Sequence, residues 1–454
     1  MERLETLDRD ALIQIILDQQ GMIEQLRAEI EQLKRRGSAA PFSKGTRKSD
    51  PKPPGRKPGQ GFFRFRSDPS SAVCAEPVLV PVAGDCPDCG GALGEASEEV
   101  VSTTDVRVER CAEVRRYAVQ TRRCRQCGKS VRGRHRDIAA GQQGATAHRV
   151  GPRVKALAHV LHYAHGVPVR KVPAILEELT GVRLTQGAIT QHAMEQAAGA
   201  IGARYGQLRE LMRKQAVAHT DDTGWRVGGR TAFLMAFVNA SLAVYQIRNQ
   251  HRNEEVRELV PADFAGVLVC DRGKSYDAEE LRSVPQQKCL AHLLRNAADV
   301  GGRKTGRARE FSQKLKDLLR AALALQSVKT QLDATHYRQQ VETLDEELTH
   351  HLRNRILRDE DNQRLLNGVG IQQDRGNVLR FLRQEGIEPT NNRAERDLRP
   401  AVIARKISHC SRTERGARAF EAFTSVIQTL RKTTSSPVAA AFAHLITSTA
   451  ATSP

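Results

Sequence analysis

The sequence predicts an α/β protein, and two observations carry that prediction. After Lys214 come three strand-like runs, AVAHTDDTGWRV, TAFLMAFVNA and LAVYQIRNQ, then the helix-like NEEVRELV, then the apolar run that opens GVLVCDRG. Two of these runs lead directly into an acid, Asp221 and Asp271. Three antiparallel strands, a crossover helix and a further strand are the opening of a ribonuclease-H-like sheet. In that layout one Asp sits on the first strand and another at the end of the fourth, beside it in space.

A carboxylate after an apolar run is costly unless it holds a cation or a partner. The bland alternative for each is an exposed turn Asp. A third acid, Glu395, lies in NNRAERDLRPAVIARK, a helix that Asn392 can cap. Arg393, Arg396 and Arg399 recur along one side of it, placed to hold phosphates. On helix spacing alone Glu395 is equally an i, i+4 partner of Arg399, worth a few tenths of a kcal/mol, roughly. Carboxylates from separate elements are what a two-metal phosphoryl-transfer site requires, since two divalent cations about 3.5–4 Å apart must keep open positions for substrate oxygens.

The 454 residues carry a formal charge of +19, which favours a polyanionic partner, nucleic acid first. A generically basic soluble protein is the alternative. The acidic start MERLETLDRD is no secretory signal, and the apolar run from Phe233 to Ile247 is too short and too polar to cross a bilayer. A cytoplasmic, nucleoid-associated protein without a membrane partner is expected. The nine cysteines are clustered, which in a reducing compartment favours metal over disulfides.

Residues 1–36 are expected to form a coiled-coil helix that makes a homodimer or higher oligomer. Ile16, Ile23 and Ile30 repeat every seven residues, with Leu12, Leu26 and Leu33 on the companion position and Gln19 interrupting. An amphipathic helix packed on its own protein is the alternative. Residues 37–72 form a basic arm, with eight Lys or Arg against two Asp. Arg56 and Lys57 in GRKPGQG, and Arg64 and Arg66 among Phe62, Phe63 and Phe65, are its candidate DNA contacts, against a solvated linker.

The zinc-binding module, 73–135, rests on CPDCGG and CRQCGK. Cys86, Cys89, Cys124 and Cys127 suit one tetrahedral structural Zn2+, and free or redox thiols are the alternative. Residues 136–214 read as a helical domain with helix-turn-helix spacing around Gly181, either a DNA reader or ordinary helix packing. Cys289 and His292 in KCLAHLLR form a C-x-x-H pair whose His faces substrate phosphate or a catalytic carboxylate.

In order, DDTGWRV, GVLVCDRGKSYD, QQKCLAHLLR and TNNRAERDLRP resemble the insertion sequence 66 family of bacterial DDE transposases, as do the GRKPGQ arm and the paired knuckles. The resemblance implies catalytic acids at Asp221, Asp271 and Glu395, holding two Mg2+. It also implies a core split by a helical insertion: first part 215–298, insertion 299–385, last part 386–432, then a tail at 433–454. The substrates it implies are double-stranded DNA, both transposon ends and target, with accessory proteins of the same element. Asp222 stands where the family usually has Glu, and Arg272 and Gly273 intervene before Tyr276. Asp222 is therefore open as a metal ligand.

The expected activity is terminal-repeat binding, cleavage to a 3′-OH and joining of that hydroxyl to target DNA. A catalytically inactive, dimeric, zinc-containing DNA-binding regulator is the alternative from another class, and a structure-selective nuclease is a third reading.

Overall fold

The computed structural model describes residues 13–14, 18–26, 80, 85, 87–92, 94–95, 112–135, 138, 142–143, 149–353, 355–408 and 410–448. The chain divides into two units, Met1–Arg107 and Val108–Pro454. In the first, residues 13–14 and 18–26 are helical, and Ile23 and Leu26 are exposed. The remainder of the expected coiled coil, the arm with Arg56, Lys57, Arg64 and Arg66, and Cys86 lie outside the described residues.

The second unit opens with an antiparallel hairpin of β1 (Thr121–Arg123) and β2 (Ser130–Arg132). Its turn holds Cys124 and Cys127 and closes through Gly128, whose N–H donates to the Cys124 carbonyl at 3.0 Å. The φ of 72° at Gly128 is one that a side chain would oppose.

Four helices follow: α1 (Pro152–Tyr163), α2 (Val172–Thr180), α3 (Gln186–Ala198) and α4 (Ala200–Met212). Gly181 ends α2 in the left-handed region, and Thr185 starts α3 by accepting the Ala188 N–H. Helix-turn-helix spacing is present around Gly181. Ala156, Val160, Tyr163, Ala193, Ile201, Leu208 and Met212 bury their side chains in the same core as the strands. Burying that apolar surface is what fixes the helices there.

The sheet contains β3 (Val217–Val227), β4 (Arg230–Val238), β5 (Ala243–Arg248), β6 (Val267–Cys270) and β7 (Gln286–Lys288), in the order β5-β4-β3-β6-β7. β3, β4 and β5 form an antiparallel meander, while β6 pairs parallel to β3 and β7 parallel to β6. The helix expected over NEEVRELV shrinks to α5 (Asn253–Arg257).

Beyond β7 lie α6 (Leu290–Gly301), α7 (Arg307–Ser327), α8 (Ala334–Leu352), α9 (Glu360–Asp374) and α10 (Arg380–Arg383). Their apolar faces make a second core that takes in Val267 and Val269, while Leu268 and Cys270 belong to the first. β6 is thus covered on both faces, which is why VLVC is apolar without alternation.

The chain ends with α11 (Asn392–Ser408), α12 (Glu414–Thr433) and α13 (Val438–Ser448). Within α13, Phe442, Ala443 and Ile446 are buried in the first core. Among the described residues no helix is long and apolar enough to cross a membrane.

Candidate active site

β3 carries Asp221 in its middle and continues past it to the turn at Gly228 and Gly229. The parallel register pairs Val217 with Val267, Ala218 with Leu268 and His219 with Val269. Carried on to the end of β6, that register sets Asp221 opposite Asp271. Side chains alternate along a strand, so Asp221 falls on the face of His219, and Asp222 on the other.

Asp271 turns the chain out of the sheet, its Oδ1 accepting the Gly273 N–H at 2.8 Å. A Cβ on Gly273 would stand 3.0 Å from that oxygen and 3.2 Å from the Tyr276 ring, a tight fit that glycine avoids.

Glu395 comes from the first turn of α11. The helix begins at Asn392, so the residue at its cap is Asn391 rather than Asn392, which is exposed. The buried Asn391 joins three elements. Its carbonyl accepts the Glu395 N–H at 3.2 Å, its N–H donates to Cys289 Sγ at 3.2 Å, and its Nδ2 donates to the Thr220 carbonyl at 2.7 Å. Cys289 in turn donates its N–H to the Cys270 carbonyl at 2.8 Å. His292, one turn along α6, places Nε2 3.9 Å from Glu395 Oε1, so of its two expected partners it faces the carboxylate. The Cys289 thiol beside it raises the His292 imidazole, and burial opposes this.

The carboxyl of Asp221 is pushed up to about 7, first by burial and then by the charges of Asp222, Glu395 and Asp271, while the Asp222 N–H lowers it. Asp222, Glu395 and Asp271 are thus near enough to Asp221 to add to its rise, although Asp222 leaves β3 on the opposite face. Hard oxygen donors under mutual repulsion suit a divalent cation such as Mg2+, whose charge relieves the crowding. Among the described residues no three His, Cys, Asp or Glu side chains stand close enough to hold a metal ion as they are. The Glu395 side chain is 41% exposed.

Asp222 has a partner of its own. Its Oδ1 lies 3.3 Å from His251 Nδ1, and His251 Nε2 lies 3.2 Å from Ser275 Oγ. Burial raises Asp222, His251 lowers it and Asp271 adds to the rise. His251 carries no motif that sequence reading could have used. Asn391 sat within the TNNRAER frame, but only the tertiary contact separates it from Asn392.

The arginines divide. Arg393 is held by Glu388, its Nε donating at 3.0 Å. Arg396 and Arg399 are exposed beside Glu395, and among the described residues neither pairs with a carboxylate. Trp225 is core, as expected, 3% exposed against Phe420 with its Nε1 on Ser411 Oγ at 3.2 Å.

At the knuckle, the backbone N–H groups of Cys127 and Gln126, and the Cys127 thiol, lower the Cys124 thiol. Cys89 lies in a turn of the first unit, followed by Gly90 at φ 69°. Cys89, Cys124 and Cys127 are not in disulfides.

An α/β sheet that brings acids from two neighbouring strands toward a third on a helix is the layout of the transposase and nuclease class of enzymes. The Transposase IS66 family model matches residues 148–419, more than half of the 454 residues, and the chain belongs to this family. A comparison with curated proteins finds no match.

Proposed function

We propose that this protein is a DNA transposase that binds the terminal inverted repeats of its element, cleaves at their ends and joins the 3′-OH to target DNA. The observation that carries this reading is the β3–β6 register that sets Asp221 opposite Asp271, with Asn391 tying the entry of the Glu395 helix to the same strand. Such crowding of acids, on a chain of net charge +19, is expected where a polyanion is cut with the help of cations. The strand order β5-β4-β3-β6-β7 supports a ribonuclease-H-like core, into which α7–α9 are inserted.

Two Mg2+ held by Asp221, Asp271 and Glu395 would supply Lewis acidity and a more acidic attacking water. The chain's own residues do the rest. Asn391 fixes where Glu395 enters, His292 restrains its carboxylate, and His251 keeps Asp222 turned away. Arg396 and Arg399 offset phosphate charge beside the cut. One structural Zn2+ on Cys86, Cys89, Cys124 and Cys127 is read from the two C-x-x-C knuckles of the sequence. The exposed Ile23 and Leu26 support a helix seam that a second copy covers.

The test is Asp271→Asn in the full-length protein. It is expected to bind end DNA as the wild type does and to show no Mg2+-dependent cleavage. Cleavage at the wild-type rate overturns the assignment. Wild-type protein that binds end DNA and never cuts it, in Mg2+ or Mn2+, would make this a regulator with relict acids.

A further inference from the structure

β7 is a strand of three buried polar residues, Gln286, Gln287 and Lys288, none more than 2% exposed. Gln287 serves the chain beyond α9, its Nε2 donating to the Val378 carbonyl at 2.8 Å and its Oε1 accepting the Phe381 N–H at 3.0 Å. Gln286 Nε2 donates to the Tyr276 carbonyl at 2.8 Å, on the turn that follows Asp271. Lys288 is the costly member. An ammonium that is 0% exposed gives up its hydration, a penalty of several kcal/mol, roughly, unless good partners replace the water.

Its side-chain partners belong to that same turn and to the end of β6 just before it. Lys288 Nζ lies 2.8 Å from Asp277 Oδ1, donates to the Asp271 carbonyl at 3.2 Å and to Cys270 Sγ at 3.5 Å, and stands 5.9 Å from the Tyr276 ring centre. The contacts then close into a ring through the helical insertion. Gln372 of α9 donates from Nε2 to Asp277 Oδ1 at 3.0 Å, and its Oε1 accepts Asn377 Nδ2 at 3.0 Å. The Asn377 carbonyl accepts the Lys288 N–H at 2.8 Å. A second contact runs beside it: a Cβ on Gly368 of α9 would stand 2.7 Å from Arg272 Nη1, so α9 leaves room for the side chain next to Asp271.

We infer that Lys288 is a positioning residue for Asp271, holding the 271–277 turn so that the Asp271 carboxylate points toward Asp221, and that α9 shares the task through Gln372. A methionine would fill the same space without burying a charge, so packing alone does not call for lysine here. What lysine adds is a simultaneous grip on the Asp271 main chain and on Asp277. The helical insertion thereby becomes part of the metal site's support. The inference rests on the reading of Asp221, Asp271 and Glu395 as cation ligands.

The experiment measures Mn2+ binding to the full-length protein without DNA, by electron paramagnetic resonance, alongside thermal melting. Supporting residues behind metal ligands are typically worth about 10–100-fold in affinity. Lys288→Met is expected to weaken Mn2+ binding roughly 10-fold or more at a near-unchanged melting temperature, and Gln372→Ala to weaken it by a smaller factor. A lysine that merely supports the fold would lower the melting temperature and leave the affinity of the folded protein unchanged, which overturns the inference. Should Lys288→Met fail to fold, Gln372→Ala decides: folded with wild-type Mn2+ affinity, it overturns the inference too. Asp271→Asn is the control. If it binds Mn2+ as well as the wild type does, the reading of the acids is wrong, and the inference falls with it.

Discussion

The side-chain amide of Asn391 donates to the main-chain carbonyl of Thr220 at 2.7 Å, tying the entry of the Glu395 helix to the strand residue just before Asp221. Two acids far apart in sequence are held in one region by this single buried amide and its neighbour Cys289. Asn391→Ala leaves a buried carbonyl without its donor and is expected to cost about 1–3 kcal/mol. Thermal melting reads that loss. End-DNA cleavage is expected to fall further than the fraction unfolded explains, because Glu395 loses its fixed entry.

Asp221 sets a pH dependence. Its carboxyl titrates at about 7 in the folded protein, against about 3.9 for an ordinary Asp. Between those values the folded state binds more protons than the unfolded state, so stability falls as pH rises through this window and levels off above it. Asp221→Asn is expected to flatten the dependence and to melt higher than the wild type at pH 8. Equal melting temperatures at pH 8 would count against the crowding of acids.

Asp222 is expected to be dispensable as a ligand. Its carboxylate engages His251 at 3.3 Å on the opposite side of β3 from Asp221. Asp222→Asn is predicted to keep Mg2+-dependent end cleavage within about tenfold of wild type, while Asp221→Asn abolishes it. Loss of cleavage as complete in Asp222→Asn as in Asp221→Asn would place Asp222 among the ligands.

The arginines of α11 should behave differently from one another. Arg396→Ala and Arg399→Ala each remove an exposed cation and are expected to reduce the salt dependence of DNA binding by about one unit in the log–log slope. Arg393, held by Glu388, is expected to leave the slope unchanged when replaced and to lower the melting temperature instead. Fluorescence anisotropy across a salt series separates the two.

The knuckle predicts zinc. Purified protein is expected to carry about one Zn2+ per chain, released when Cys124 and Cys127 are replaced by Ser. Elemental analysis of both proteins checks it, and a wild-type protein free of zinc after expression in zinc-supplemented medium would remove the site.

Much of the core was legible from local patterns. Apolar runs marked β3, β4, β5 and β6 because a covered strand must be apolar, and a matching register needs only those runs and a crossover. Asp221 and Asp271 could be read because each follows such a run, and Glu395 because its frame carries a family resemblance. β7 could not be read as a strand: QQK has no apolar signature, and its buried polar side chains are satisfied only by turns distant in sequence. That the helices over 152–212 and residues 438–448 pack on the core of the sheet was not legible either. Helical spacing shows that a face is apolar, but not which surface it will cover.

The sequence by itself pointed to the residues proposed to bear the chemistry, to the strands that lead into two of the acids and to the family to which the chain belongs. Only the tertiary structure decided that Asn391 rather than Asn392 anchors the Glu395 helix, that His251 occupies Asp222, that Glu388 holds Arg393 and that Lys288 is buried behind Asp271. The physical reason is that a local pattern records the apolar and polar preferences of a segment. Which polar groups satisfy one another depends on how the chain folds back on itself, over separations from 5 residues, Glu388 to Arg393, to 171, Thr220 to Asn391.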